Sequence, residues 1–227
     1  MSGSGGAEAI VFDLDGVLVD SESVWDEARR QLTAESGGEW HPDATREMMG
    51  MSSIEWSRYM HDRLGVPMAP EEISEAVVER IAALYRERLP LLPGAVEAVR
   101  SLAERWPLAV ASSSNRPVID LVLELAGIAE AFSVTVSSEE VGRGKPAPDV
   151  YLEAARRLGV APDRCAAIED SANGIRAAHT AGMTVIAVPN RDFPPDPDSL
   201  RLAAKVLTSL EELTPELVLE LGAEASD

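Results

Sequence analysis

The hydrophobic and polar positions of the chain change character at about residue 93. Beyond that point, short apolar runs alternate with stretches whose apolar residues recur every three or four positions. The short runs predict strands, and the three-to-four spacing predicts amphipathic helices. Predicted strands lie at 9–12, 108–111, 134–136, 166–168, 184–188 and 205–207. Strands that alternate with helices predict parallel βαβ units, so we expect an α/β fold with a Rossmann-like parallel sheet flanked by helices.

Residues from about 20 to 92 show only the helical spacing, as in 23–35 and 71–88. Pro70 precedes two glutamates, which is typical of the first turn of a helix. The first strand therefore stands apart from the others, on the far side of a helical stretch. We predict a core domain made of residues 1–17 and 93–227, with an inserted helical cap domain at 18–92 over the strand ends.

The chain has 227 residues and a formal net charge of −19, which argues against binding to nucleic acid through a basic face. Its longest apolar runs fall short of the roughly 18 residues of a membrane helix, so we expect no membrane partner. The single cysteine, Cys165, excludes an internal disulfide and is compatible with a reducing compartment. On this basis we predict a cytoplasmic protein, and the sequence is compatible with a monomer.

Polar residues follow the predicted strands at four places along the chain. They are Asp13 and Asp15 after the first strand, residues 112–115 after the second, Lys145, and Glu169 and Asp170 after the fourth. Any one of these clusters reads equally well as a helix cap, a turn or a solvated lysine. Parallel strands bring their carboxyl ends to one edge of a sheet, where α/β proteins bind ligands. Carboxylates that meet there repel each other, and Mg²⁺ held by carboxylates and a substrate phosphate is the usual solution.

Four segments resemble, in order and spacing, the four motifs of the haloacid dehalogenase superfamily. They are residues 11–20 (VFDLDGVLVD), 111–115 (ASSSN), 144–149 (GKPAPD) and 168–174 (IEDSANG). The helical insertion resembles the cap of the branch that holds small-metabolite phosphatases and β-phosphoglucomutase. The resemblance implies a Mg²⁺-dependent phosphatase that hydrolyses a small phosphorylated metabolite, with a sugar phosphate favoured, through an aspartyl-phosphate intermediate.

The same resemblance implies a role for individual residues. Asp13 would be the nucleophile, Asp15 the general acid and base, and Lys145 the catalytic cation. Mg²⁺ would be held by Asp13, by the main-chain carbonyl of Asp15 and by Asp170, with Glu169 supporting these ligands. The phosphate contacts would come from Leu14, Asp15, Ser112, Ser113 and Lys145.

The cap is expected to select the substrate. Residues near the hinge and at a turn between cap helices are the candidates for substrate contacts: Glu22, Trp25, Gly50, Met51 and Ser52.

Two other functions are weighed against the phosphatase. A β-phosphoglucomutase-like phosphotransferase is the nearest one, but that family has a histidine at the position matching Trp25 and an arginine at the position matching Ser53. Both are missing here, so the second phosphate of a mutase substrate lacks the expected clamp. A non-catalytic phosphometabolite-binding module is disfavoured because every expected catalytic position is filled. Dehalogenation is disfavoured because dehalogenases of this superfamily lack the second acid, Asp15.

Overall fold

A six-stranded parallel sheet forms the centre of the computed structural model, which describes residues 6–48, 51–190 and 194–224. The strands are β1 (Ala9–Phe12), β2 (Leu108–Ser112), β3 (Phe132–Ser137), β4 (Cys165–Glu169), β5 (Thr184–Ala187) and β6 (Lys205–Val206). Their order across the sheet is β3-β2-β1-β4-β5-β6, and the pairs are parallel. The predicted α/β fold is therefore confirmed, and each predicted strand agrees with an observed one to within two residues.

Strand β1 is buried on both faces because helices cover both sides of the sheet. Ile10 and Phe12 pack into one hydrophobic cluster, whereas Ala9 and Val11 pack into the other. This alternation follows from the two-residue period of a strand. A run that is apolar at every position is what a strand between two helical layers requires.

Ten α-helices accompany the sheet in the described part of the chain. They are α1 (Glu22–Glu35), α2 (Ala44–Met48), α3 (Ser53–Asp62), α4 (Pro70–Glu87), α5 (Ala95–Ala103), α6 (Arg116–Leu125), α7 (Asp149–Leu158), α8 (Ala172–Thr180), α9 (Pro197–Leu200) and α10 (Pro215–Glu224). Helices α5, α6 and α10 contribute to one hydrophobic cluster, and α7 and α8 contribute to the other. Among the described helices, none has the length and apolar character that crossing a bilayer requires.

The chain order of the strands creates a crevice beside β1. From β1 the chain goes to β2 and β3 on one side and then returns to place β4 on the other side. The loops that leave the neighbouring strands β1, β2 and β4 therefore separate at the carboxyl edge of the sheet. Open α/β sheets bind ligands at such a switch point.

Helices α1 to α4 all lie between β1 and β2 in the chain. The two segments that connect them to the sheet run side by side, since Leu92 N donates to Leu18 O at 3.0 Å and Asp20 N donates to Pro90 O at 2.8 Å. Within these helices, the rings of Trp25 and Trp56 meet edge to face at 5.9 Å. The inserted helices therefore leave and rejoin the sheet at one place, next to the end of β1.

Candidate active site

Three neighbouring strands end in the polar residues that the sequence singled out. Asp13 follows the last residue of β1, Ser112 is the last residue of β2 and Glu169 is the last residue of β4. The register pairs Phe12 with Val110 on one side and with Ile168 on the other, so the three strands end within two residues of one level. The parallel arrangement thus brings together residues that are far apart in the sequence.

Lys145 joins two of these strand ends. Its Nζ lies 3.0 Å from Asp13 Oδ1 and 2.7 Å from Glu169 Oε1, and only 3% of its side chain is exposed. The main-chain N–H of Leu14 also donates to Asp13 Oδ1, at 2.7 Å. The loop lysine is therefore not solvated, and it lies at the convergence point that the sequence predicted.

Glu169 is held by hydrogen bonds on both carboxylate oxygens. Oε1 accepts from Lys145 and from the Tyr151 hydroxyl, each at 2.7 Å. Oε2 accepts from the N–H of Asp170 at 3.0 Å and from the N–H and hydroxyl of Ser171 at 3.1 Å. Gly174 makes room for this carboxylate, because a Cβ at that position would lie 1.6 Å from Oε1. This contact explains a glycine inside α8, where it costs helix stability.

Asp170 completes a group of three buried acids. One carboxylate oxygen each from Asp13, Glu169 and Asp170 lies within 4.8 Å of the others. The carboxylate of Asp170 rests against Gly16, where a Cβ would lie 2.0 Å from Oδ2. Gly16 also has a φ of +75°, a conformation that side chains rarely adopt, so both space and backbone require glycine there.

The charges in this group influence one another strongly. Burial raises the pKa of Asp13 to about 8, and Lys145 offsets only part of that rise. Burial and the neighbouring carboxylates also raise the pKa of Asp170 well above its usual value. Burial alone would raise the pKa of Glu169 and lower that of Lys145, but the charge of Lys145 lowers the first and the charges of Asp13 and Glu169 raise the second. If all three acids were ionised, the group would carry more negative charge than one ammonium ion can balance.

Asp15 has hydrogen-bond partners other than these acids. Trp25 Nε1 donates to Oδ1 at 3.0 Å, and the Ser114 hydroxyl donates to Oδ2 at 2.6 Å. The Ser112 hydroxyl makes a longer contact with Oδ2, at 3.4 Å. Ser114 was not among the predicted site residues, although it belongs to the serine cluster that the sequence pointed to.

A cavity of about 250 Å³ opens in front of Asp13 and Asp15. Lys145, Ser113 and Asp170 also line it from the sheet. Its opposite wall comes from the inserted helices and includes the predicted residues Glu22, Trp25 and Met51. The cavity therefore has one wall of charged groups and one wall of largely apolar side chains.

Some predicted residues lie elsewhere. Leu14 and Ser112 are fully buried behind the cavity rather than in its wall. Leu14 contributes its main-chain N–H, and the Ser112 oxygen accepts from the N–H of Ser114 at 3.0 Å. Ser52 caps α3, where its hydroxyl donates to Glu55 at 2.7 Å. Gly50 lies outside the described residues.

The structure adds cavity residues that the motifs did not indicate. Arg29 and Trp56 line the cavity from the inserted helices, and Pro194 and Pro195 line it from the segment after β5. The sequence does contain a signal for Arg29, because it follows Trp25 by one helical turn and so shares its face.

Comparisons with known proteins point to one family. A family model described as haloacid dehalogenase-like hydrolase matches residues 7–182. Over 212 residues the chain is 37% identical to hexitol phosphatase B of Escherichia coli, covering 91% of this chain and 94% of that protein. It also resembles the crystal structure of CbbY from Rhodobacter sphaeroides in complex with phosphate (TM-score 0.84, 30% identity, 94% of this chain and 99% of that one). The structure of β-phosphoglucomutase from Clostridium difficile is similar as well (TM-score 0.82, 26% identity, 96% of this chain and 98% of that one).

Proposed function

The chain belongs to the haloacid dehalogenase-like hydrolases and is a phosphoric monoester hydrolase, and from this premise we propose a Mg²⁺-dependent phosphatase that hydrolyses a sugar phosphate through an aspartyl-phosphate on Asp13. One observation carries the proposal: Asp13 lies at the cavity wall, in contact with Lys145 and near a second buried acid, Asp170. The family assignment inferred from the four motifs is confirmed, in the branch of small-metabolite phosphatases.

The reaction proceeds in two steps on the residues of this chain. In the first, the Asp13 carboxylate attacks phosphorus, the bond from phosphorus to the leaving oxygen breaks, and Asp15 gives that oxygen a proton. In the second, water attacks the phosphorus of the aspartyl-phosphate and Asp15 takes its proton, the bond from phosphorus to the Asp13 oxygen breaks, and inorganic phosphate leaves as the Asp13 carboxylate is restored. Lys145 offsets negative charge throughout, and Ser113 lies in the cavity wall where a phosphate oxygen would bind.

The acids in the cavity fit a divalent cation. When ionised, Asp13, Glu169 and Asp170 carry three negative charges, and Lys145 balances one of them. Both oxygens of Glu169 are already engaged, so the side chains of Asp13 and Asp170 would hold the ion together with the main-chain carbonyl of Asp15. A bound Mg²⁺ supplies the positive charge that lets an anionic nucleophile approach an anionic phosphate.

We further propose that residues 18–92 act as a cap domain on a core formed by residues 1–17 and 93–227. The paired connections near Leu18 and Leu92 support this division, because they place both ends of the insertion next to each other near the end of β1. The apolar wall that the insertion adds around Trp25 and Met51 would select the substrate. The cytoplasmic location stays a prediction from the single cysteine.

A substrate panel tests the proposal. Phosphate release and hexose phosphate isomerisation are both measured for a series of phosphomonoesters, with and without Mg²⁺. Release that EDTA abolishes and that Asp13→Asn eliminates supports the phosphatase. Isomerisation without net release favours the β-phosphoglucomutase-like alternative, which the similar Clostridium difficile structure keeps in view. Binding of phosphate esters without turnover would favour a non-catalytic module.

A further inference from the structure

Arg29 is the cationic residue on the wall of the cavity that the inserted helices provide. Its residue exposure is 7%, and it lines the same cavity as Asp13 and Asp15. The guanidinium carbon lies 4.8 Å from the Trp25 ring and 5.0 Å from the Trp56 ring. Two indole faces therefore fix the side chain in position, since guanidinium groups are attracted to aromatic faces.

The guanidinium lacks the partner that a buried arginine usually has. Its Nε has no hydrogen bond, and among the described residues no carboxylate lies within 4.0 Å of the group. Burial lowers the pKa of Arg29 to about 10, although Glu22 and Asp15 oppose this, so the group is charged at neutral pH. Leaving a buried charge without a partner is costly.

The next residue shows what an arginine does on the same helix outside the cavity. Arg30 lies 5.0 Å from the Trp40 ring, and its Nε contacts Asp26 at 2.5 Å. Both arginines therefore stack on indole rings, but of the two only Arg30 has an ion pair with a described residue. They also differ in position, because half of the Arg30 side chain is exposed whereas Arg29 is buried and lines the cavity.

Trp25 links Arg29 to the reacting groups. Its Nε1 donates to Asp15, while its ring packs against the guanidinium. A substrate whose phosphate meets Asp13 and whose leaving oxygen meets Asp15 would therefore extend along Trp25 toward Arg29. A planar guanidinium with free N–H groups matches a carboxylate or a phosphate.

We propose that Arg29 binds an anionic group at the end of the substrate opposite the phosphate that is hydrolysed. The inference rests on the proposed function and narrows it, because the substrate becomes a sugar phosphate that carries a second anion. That anion is either a carboxylate, as in a phosphorylated sugar acid, or a second phosphate. Arg29 is thus a specificity-determining residue of the reaction.

The test compares three substrates of similar size: gluconate 6-phosphate, fructose 1,6-bisphosphate and glucose 6-phosphate. Arg29→Met, which keeps an apolar stem against the two indoles, is expected to lower kcat/KM by about 10- to 100-fold for one or both of the substrates that carry a second anionic group. The loss on glucose 6-phosphate should not exceed about threefold. Most of the loss should appear in KM, because the contact exists before and during the reaction. The substrate with the larger loss identifies the anion as carboxylate or phosphate.

Arg30→Met is the matched control, since Arg30 lies in the same helix as Arg29 and also stacks on a tryptophan. It should leave kcat/KM unchanged for all three substrates. Calorimetry gives a readout without turnover. Gluconate 6-phosphate and fructose 1,6-bisphosphate are titrated into Asp13→Asn with and without Arg29→Met, and the substrate that loses kcat/KM should lose binding affinity to a similar extent.

Equal losses of kcat/KM on all three substrates would overturn the inference in favour of a structural role, as would no loss on any of them. A loss confined to glucose 6-phosphate would overturn it in favour of hydroxyl recognition. If the unaltered protein hydrolyses none of the esters and p-nitrophenyl phosphate is also untouched, the proposed function itself fails.

Discussion

The two walls of the cavity differ in how their charges are balanced. On the sheet wall, the charged groups Asp13, Lys145 and Glu169 contact one another directly. On the helical wall, Arg29 packs against two indoles and has no ion pair with any described residue. A connected set of charges is suited to one chemical task, whereas an unpaired cation is suited to a group that arrives with the substrate. We therefore assign the reaction to the sheet wall and the choice of substrate to the helical wall.

Removing the nucleophile should have the largest effect. Asp13→Asn keeps the size of the side chain but removes the attacking oxygen charge, so kcat should fall by at least about 10⁴-fold in a phosphate-release assay. Asp163→Asn, an exposed substitution elsewhere on the core, is the control and should leave kcat unchanged. Residual activity within about tenfold of the original would place the nucleophile elsewhere.

Lys145→Ala should cost more activity than Ser112→Ala. A charge about 4 Å from a phosphate is worth about 4 kcal/mol at an effective dielectric near 20, against about 1 kcal/mol for a neutral hydrogen bond. We expect losses in kcat/KM of about 10²- to 10³-fold for Lys145→Ala and about tenfold for Ser112→Ala. The reverse ranking would contradict the assignment of Lys145.

Gly174→Ala tests whether the sheet wall depends on the fixed position of Glu169. The added methyl group has no space beside Glu169 Oε1, so the free energy of unfolding should fall by about 1–3 kcal/mol. Gly142→Ala is the control, since a Cβ there would meet its nearest neighbour at 3.6 Å. Denaturant melts measure the free energy of unfolding of both variants. Equal values for Gly174→Ala and Gly142→Ala would mean that the packing around Glu169 is loose.

Trp25→Phe should have the smallest effect, because it removes one hydrogen bond to Asp15 and keeps most of the ring. We expect a decrease in kcat of about three- to tenfold. Trp40→Phe is the matched control, as Trp40 Nε1 has no hydrogen-bond partner among the described residues. A similar decrease in both variants would show that the Trp25 contact does not position Asp15.

The sheet wall could be predicted because its residues follow short apolar runs, as Asp13 does after β1. Parallel pairing then fixes where such residues meet, without any knowledge of side-chain contacts. The serine cluster shows the limit of this reasoning. Three consecutive serines begin at the last residue of β2, and only the turn geometry decides that Ser114 has the short contact with Asp15 while Ser112 lies behind the cavity.

The helical wall was harder to predict because its residues meet only through packing between helices. Arg29 shares a helix face with Trp25, but an arginine in the middle of a helix is usually solvated. Its burial depends on Trp56, which belongs to a different helix. No local pattern connects α1 with α3, so the contact of both indoles with the guanidinium could not be predicted without the folded structure.

Trapping the covalent intermediate tests the central claim most directly. Asp15→Asn keeps the nucleophile but removes the group that activates water, so a phosphorylated enzyme should accumulate with Mg²⁺ and p-nitrophenyl phosphate. Mass spectrometry of the acid-quenched protein should then find one phosphoryl group on Asp13, and none when Asp13→Asn is added. Phosphorylation of another residue, or rapid turnover of Asp15→Asn with no modified Asp13, would contradict the account.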